Sequence, residues 1–257
     1  MSVLDSIIEG VREDLAKRRR SLTEIQEGML QAAPALDVRK SLSGEVTSVI
    51  AEVKRSSPSK GSLSTISDPA ALAERYQEAG ASVISVLTEE RRFKGTLADL
   101  TAVRERVSIP ILRKDFMIDE YQFFEARAHG ADMVLLIVAA LAKSQLKDFF
   151  DLATELGMAS LIEVHTADEL ERALEISPQI VGVNSRNLKT LDVDQAAFAD
   201  LIPRIPADLI RVAESGIAKR SDVEFAERYG ADAILVGEAL VTAGDPLLAM
   251  RTLLGQG

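Results

Sequence analysis

Glu52, Lys54, Lys114 and Glu163 each stand at or just beyond the end of a short aliphatic run, in "VIAEVK", "ILRK" and "LIEV". A lysine ammonium flanked by carboxylates can donate a proton, and a carboxylate in a cleft can act as a base or stabilise a developing cation. Successive residues of a strand point to opposite faces. Glu52 therefore shares a face with Lys54 while Arg55 takes the other, Lys114 goes with Leu112 against Arg113, Glu163 goes with Leu161, and Asn184 goes with Gly182. If these runs are strands of one sheet, two lysines and two glutamates converge on a single mouth. A ring of structural salt bridges is the competing reading, but matching parity on separate runs favours proton-transfer chemistry.

A second set of residues suits an anion. "AESGI" supplies Ser215 and Gly216 just after Glu214, and "LVGEAL" supplies Gly237 and Glu238. Backbone N–H groups at such a strand end and short helix start can cradle a phosphate. Inside such a site the Glu238 carboxylate would repel the ligand, so its amide rather than its side chain is expected to face it. The segment after Lys54, "RSSPSKGSLSTISD", is longer than an ordinary connection and reads as a functional loop, from which Ser57 and Lys60 can reach an anion. Thr88, Glu89 and Arg186 also stand at the ends of aliphatic runs.

These residues need elements to hold them. Four segments, "YQEAGASVISVL", "ARAHGADMVLLIV", "ATELGMASLIEV" and "AERYGADAILVG", repeat one form: a helical pattern, a glycine, then an aliphatic run. Gly80, Gly130, Gly157 and Gly230 are expected to end the helices in the left-handed conformation. Further runs start at Thr47, Ile109, Gln179 and Asp208, which makes eight strands, each followed by apolar residues at helical spacing. Continuous Val/Ile/Leu strands alternating with helices predict a parallel sheet, and eight units fit a closed (β/α)8 TIM barrel. No G-x-G-x-x-G follows any strand, which weighs against a dinucleotide-binding open sheet. No linker divides residues 1–257, so a single domain is expected. Residues 1–45 lie outside the repeat. Leu4, Ile7, Ile8, Val11 and Leu15 fall on one helix face, predicting an N-terminal helical extension that packs on the barrel and covers one of its ends. "KRRR" at Lys17–Arg20 lies near several acids and reads as a solvated helix face.

Composition narrows the function classes. The net charge of −10 repels polyanions and argues against a nucleic-acid partner, so an anionic ligand must be held by local cations. The absence of cysteine excludes disulfides and thiolate chemistry and fits a reducing compartment. No apolar run is long enough for a membrane span, and the N-terminus lacks a signal-peptide core, so a soluble cytoplasmic protein is expected. His129 and His165 lack a partner at metal-ligand spacing and read as non-catalytic. There is no nucleophile elbow, Walker loop or H-E-x-x-H.

Six motifs in order, "IAEVKRSSPSKG", "LRKDF", "LIEVH", "VGVNSRNL", "AESGI" and "ILVGEAL", closely resemble indole-3-glycerol phosphate synthases over nearly the whole chain. The resemblance implies ring closure, decarboxylation and dehydration of 1-(2-carboxyphenylamino)-1-deoxyribulose 5-phosphate in tryptophan biosynthesis, without cofactor or metal. It implies that Lys114 is the general acid, Glu163 the acid/base of the dehydration, Glu52 a supporting carboxylate, and Lys54 the partner of the substrate carboxylate. Asn184, Arg186 and Glu214 match positions that bind and orient substrate. Ser57, Ser215, Gly216, Gly237 and Glu238 match the phosphate grip, and Phe93, Phe116, Leu135 and Leu188 the apolar walls around the anthranilate ring. The extension contributes to the mouth in this family, through residues that the motifs do not identify. A monomer with no fused isomerase domain is expected. A sibling phosphate-binding barrel, such as a phosphoribosylanthranilate isomerase, is the alternative enzyme. It would lack the extension and the paired lysines. A non-catalytic sugar-phosphate-binding barrel would lack one of Glu52, Lys114 and Glu163.

Overall fold

Every aliphatic run becomes a strand: β1 (Ser48–Val53), β4 (Val83–Leu87), β5 (Ile111–Lys114), β6 (Met133–Ile137), β7 (Ala159–Val164), β8 (Ile180–Asn184), β9 (Ile210–Glu214) and β10 (Ala233–Val236). A small hairpin, β2 (Ser56–Ser57) and β3 (Gly61–Ser62), forms within the first long loop. In this computed structural model, which describes residues 2–63, 65–188 and 190–256 and leaves out the side chain of Leu22, the eight long strands close a parallel barrel. Its order is β1, β10, β9, β8, β7, β6, β5, β4, with β4 pairing back onto β1. Ser64 of the first loop lies outside the described residues.

Strand parity divides the apolar residues into two cores. Val49, Ala51, Ile84, Val134, Ile162, Val181 and Ile234 face outward and pack under the helices. Ile50, Val83, Leu112, Met133, Leu161, Ile180 and Val212 fill the barrel. Burial on both faces explains why these strands are unbroken aliphatic runs, without the alternation of a half-exposed sheet. The helix-ending glycines 80, 130, 157 and 230 have φ of +96°, +85°, +75° and +96°, which returns each chain to the next strand. The helix Pro69–Glu78 starts where the first long loop ends, with the Asp68 carboxylate capping the amide of Ala71.

The extension forms α1 (Val3–Arg18), α2 (Leu22–Gln31) and α3 (Val38–Leu42). It covers both ends of the barrel, where the sequence predicted one. Leu4, Ile7 and Val11 of α1 join Phe93, Phe116 and Leu188 over the C-terminal end of the strands. Val38 and Leu42 of α3 are almost fully buried and close the opposite end beneath Ile50 and Val83. The amide of Leu36 donates to Asp132 just before β6 (2.8 Å), and the Arg39 guanidinium donates to the carbonyl of Asp208 just before β9 (3.0 Å). The expectation for "KRRR" is also corrected. Lys17 is exposed, but Arg18 enters the protein and makes a two-pronged bond to the buried Glu125 carboxylate (3.0 and 3.1 Å), while Arg19 pairs with Asp119 and lies over the Tyr121 ring. The pattern could not show this because Glu125 lies 107 residues away.

Candidate active site

The C-terminal mouth of the barrel holds a cavity of about 820 Å³. Each catalytic, binding and phosphate candidate from the sequence borders it. The barrel itself accounts for the convergence. Glu52, Lys114, Glu163, Asn184 and Glu214 are inward-facing residues on β1, β5, β7, β8 and β9, and Lys54 follows β1 at the same parity. The Lys114 ammonium lies 3.2 Å from Glu163 Oε2 and 3.7 Å from Glu214 Oε2, and Lys54 meets Glu52 Oε1 at 2.5 Å.

Two glycines make room for these carboxylates. A Cβ on Gly237 would stand 2.4 Å from Glu52 Oε1, and one on Gly182 would stand 2.0 Å from Glu214 Oε1. Any side chain there would displace a carboxylate of the mouth. Two strand-end candidates serve structure instead. Glu89 accepts the amides of Arg91, Arg92 and Phe93 and so shapes the loop that carries Phe93. Thr88 turns away to donate to Asp115 (2.6 Å), as part of a buried network with Arg113 outside the barrel.

Burial and neighbouring charges set the protonation pattern. Burial pulls the Lys114 ammonium down, but Glu163, Glu214 and Glu52 outweigh it and hold it above the ordinary lysine value. Glu163 is pushed up by burial, yet Lys114, His165 and the Asn184 amide hold it well below the usual carboxylate range. Glu214 moves the other way, since burial and the Glu163 charge raise it well above that range. Among the described residues, neither Glu214 oxygen has a hydrogen-bond partner. Adjacent carboxylates whose proton affinities are pushed apart give one group that stays charged and one that carries a proton.

The phosphate candidates form the opposite side of the cavity. Ser215 and Gly216 both take left-handed conformations, with φ of +68° and +72°. Successive amides in that geometry make an anion-binding concavity, and a non-glycine residue at positive φ is retained where the surroundings demand it. Glu238 opens a four-residue helix behind Gly237. Its carboxylate is engaged by the Lys60 ammonium from the first loop. Arg186 donates to the Leu191 carbonyl (2.9 Å) and to Ser59 Oγ (3.3 Å), which ties the loop after β8 to the same segment. Ser57 borders the cavity, and its hydroxyl accepts the amide of Lys60 (3.3 Å).

Apolar walls complete the mouth. The rings of Phe93 and Phe116 lie 6.2 Å apart at 40°, with Leu135 at the base and Leu188 at the rim. Val3, Leu4 and Ile7 of α1 complete this wall, and sequence reasoning did not assign them. Their signal was present in the apolar stripe of α1, which gives a buried face but not what it faces.

Solved structures share this architecture. A 3-hexulose-6-phosphate synthase superposes with a TM-score of 0.65 at 18% identity, over 82% of this chain and 99% of that one. A thiamine phosphate pyrophosphorylase from Pyrococcus furiosus gives 0.62 at 16%, over 84% and 96%. Sequence relatives are much nearer. "Indole-3-glycerol phosphate synthase 1" of Streptomyces coelicolor is 55% identical over 100% of this chain and 96% of its own length. The indole-3-glycerol phosphate synthase of Mycobacterium tuberculosis H37Rv is 54% identical over 100% and 95%. The sequence profile described as indole-3-glycerol phosphate synthase matches residues 4–253. With a match of that length and relatives more than half identical from end to end, the chain belongs to the indole-3-glycerol phosphate synthase family.

Proposed function

We propose the following division of labour for the family's reaction, which converts 1-(2-carboxyphenylamino)-1-deoxyribulose 5-phosphate to indole-3-glycerol phosphate, carbon dioxide and water. The ring carbon that bears the carboxylate attacks the ribulose carbonyl, and Lys114 gives its proton to the carbonyl oxygen. Loss of carbon dioxide returns the bonding electrons to the ring. The new hydroxyl then leaves as water, for which it needs a second proton, while the neighbouring carbon sheds one. Glu163, ionised beside Lys114, accepts that proton and can return it to the departing oxygen. Solvent reprotonates Lys114, which balances the carboxylate lost as carbon dioxide.

Lys54 faces the substrate carboxylate, with Glu52 holding its ammonium in place. Asn184 and the protonated Glu214 offer hydrogen bonds to the sugar, and Arg186 helps orient it. Phe93, Phe116, Leu135 and Leu188 clasp the aromatic ring, and Ser57, Ser215, Gly216, Gly237 and the amide of Glu238 hold the phosphate. A monomer as the working unit belongs to the same reading. A cytoplasmic location belongs to the same reading, supported by the cysteine-free sequence.

The observation that carries this reading is Lys114 standing between Glu163 and Glu214 in the cavity that Ser215, Gly216 and Gly237 also border. A fluorescence assay for the indole product, run in chelator, tests it with Lys114→Ala. The expected result is chelator-resistant turnover in the parent, with kcat of the variant reduced at least about 100-fold and KM little changed. A variant with a much higher KM and near-normal kcat would overturn the acid role.

A further inference from the structure

We infer that His165 is a positioning residue of the active site: its imidazolium, gripped by Glu169, holds the Glu163 carboxylate in its working orientation and balances its charge. The inference rests on the acid/base role proposed for Glu163. His165 follows β7 and shares the inward parity of Glu163, yet it does not border the cavity and so does not meet substrate. Its side chain is only 10% exposed.

Three short links build the device. Thr166 caps the helix Ala167–Leu174 by accepting the amide of Glu169 (3.2 Å), which fixes Glu169 in the first turn. Glu169 Oε2 then reaches back to accept the backbone amide of His165 (2.7 Å) and stands 3.1 Å from its ring Nδ1. With Nδ1 so committed, Nε2 stands 3.3 Å from Glu163 Oε1, an ion-pair contact rather than an aligned hydrogen bond. The other oxygen, Oε2, faces Lys114 at 3.2 Å. The two oxygens of Glu163 are therefore held from different sides, one by a group that never touches substrate and one by the acid that does. A cation held beside one oxygen restrains the carboxylate and leaves its second oxygen turned towards Lys114.

The charges around the pair are consistent with a permanently protonated ring. Burial alone would neutralise the imidazole, but Glu163 and Glu169 outweigh it and push His165 up to about 10. The groups acting on Glu163 besides His165 are Lys114 from β5 and Asn184 from β8, while the carboxyl of Glu214 from β9 feels the Glu163 charge and that of Glu52 from β1 acts on Lys114 and Glu214 in the same cluster. Without the imidazolium, Glu163 would keep one cation and face its acidic neighbours with less compensation, so it would hold a proton at higher pH.

Kinetics of His165→Asn, Glu169→Gln, Glu163→Gln and the double variant Glu163→Gln/His165→Asn, measured from pH 3.5 to 9, test the inference. Expected for His165→Asn are a fall in kcat of about 20-fold or more, a KM within about threefold of the parent, and an acid limb of kcat that moves up from below the usual carboxylate range towards the ordinary value of about 4.3. Glu169→Gln should shift the limb the same way by less. The double variant should match Glu163→Gln alone, because His165 acts only through Glu163. An additive double variant, or a fall in kcat with an unmoved pH profile, would overturn the inference. Near-normal turnover in Glu163→Gln would instead remove the reading on which it rests. Nitrogen-15 NMR of the unaltered protein supplies an independent arm. Both ring nitrogens of His165 should remain protonated up to about pH 9, and titration near the ordinary histidine value of about 6.5 would sink the proposal.

Discussion

Arg113 has no solvent exposure, and its guanidinium is the hub of a network outside the barrel wall. Nη2 meets Asp115 Oδ2 and Glu125 Oε2 at 2.9 Å each, Nη1 donates to the carbonyl of Gln122 (2.8 Å), and Nε donates to Thr88 Oγ1 (3.2 Å). Arg113→Met keeps much of the side-chain volume but deletes the charge. Asp115 would keep Thr88 and the amide of Phe116, and Glu125 would keep Arg18, so both carboxylates stay buried with their cation count reduced. Removing one partner from a buried ion pair costs about 3–5 kcal/mol, because the other charge remains without full compensation. A chain of 257 residues has an unfolding entropy near 0.5 kcal/mol/K at about 2.1 cal/mol/K per residue, so the melting temperature should fall by about 6–9 °C.

The pH dependence gives a stricter check. Burial pushes Glu125 up, but Arg113 and Arg18 outweigh it and hold it below the usual carboxylate range. A depressed carboxylate adds stability above its unfolded value, and that stability is lost as pH falls through the folded value. Without Arg113 this contribution shrinks. The gap between parent and variant should be widest at pH 7 and should narrow towards pH 4, where the orphaned carboxylate can take a proton. Thermal melts followed by circular dichroism at both pH values measure it. A variant melting within about 2 °C of the parent at pH 7, or a gap that does not narrow on acidification, would refute the argument.

Two further outcomes follow from the mouth. Glu238→Gln should leave the KM for the phosphorylated substrate within about threefold of the parent, because the carboxylate is already occupied by Lys60, whereas Lys60→Ala should raise it. A tenfold increase for Glu238→Gln in steady-state assays would show that the side chain itself meets the ligand. Glu214→Gln should make the protein slower but more stable in alkali. Burial and Glu163 raise the folded-state proton affinity of Glu214, so the parent loses stability as pH rises from the unfolded carboxylate value through the folded one, and glutamine abolishes that loss. Parallel melting curves for the two proteins between pH 6 and 9 would contradict this.

The barrel was legible because each of its requirements leaves a local mark. Doubly buried strands must be aliphatic throughout, and helices that turn straight into strands need a residue tolerant of positive φ, hence Gly80 and its three counterparts. The mouth was legible through parity, since Glu52, Lys114 and Glu163 interrupt apolar runs at inward positions where a charge needs a reason. The sequence motifs then supplied the chemistry. What escaped were pairings between residues ordinary in type and distant in the chain. Arg18 looked like one of four solvated cations until Glu125 was found beside it. Two readings failed for other reasons: His165 looked inert because only the turn from β7 into the next helix brings Glu169, four residues on, back to its ring, and Val38 and Leu42 belong to a helix too short to carry a periodic signal. Lys60 and Glu238, 178 residues apart, were read as separate contributors to one anion site, although in this structure they hold each other.

The extension that covers both barrel ends also sets an order of events during synthesis. Its helices emerge from the ribosome before the barrel strands, yet Arg39 needs the carbonyl of Asp208, 169 residues later, to complete its contact at the barrel base. At roughly 5–20 residues per second that partner arrives about 10–30 s afterwards. β1 waits longer still, because its pairing with β10 runs through Ser48 and Ala233. The extension is therefore held open until the barrel can close, with Leu4, Ile7, Val38 and Leu42 exposed in the meantime. A nascent chain stalled before β10 should offer these apolar faces to chaperones, and release should bury the stopper at the base and the cover at the mouth in the same closing step.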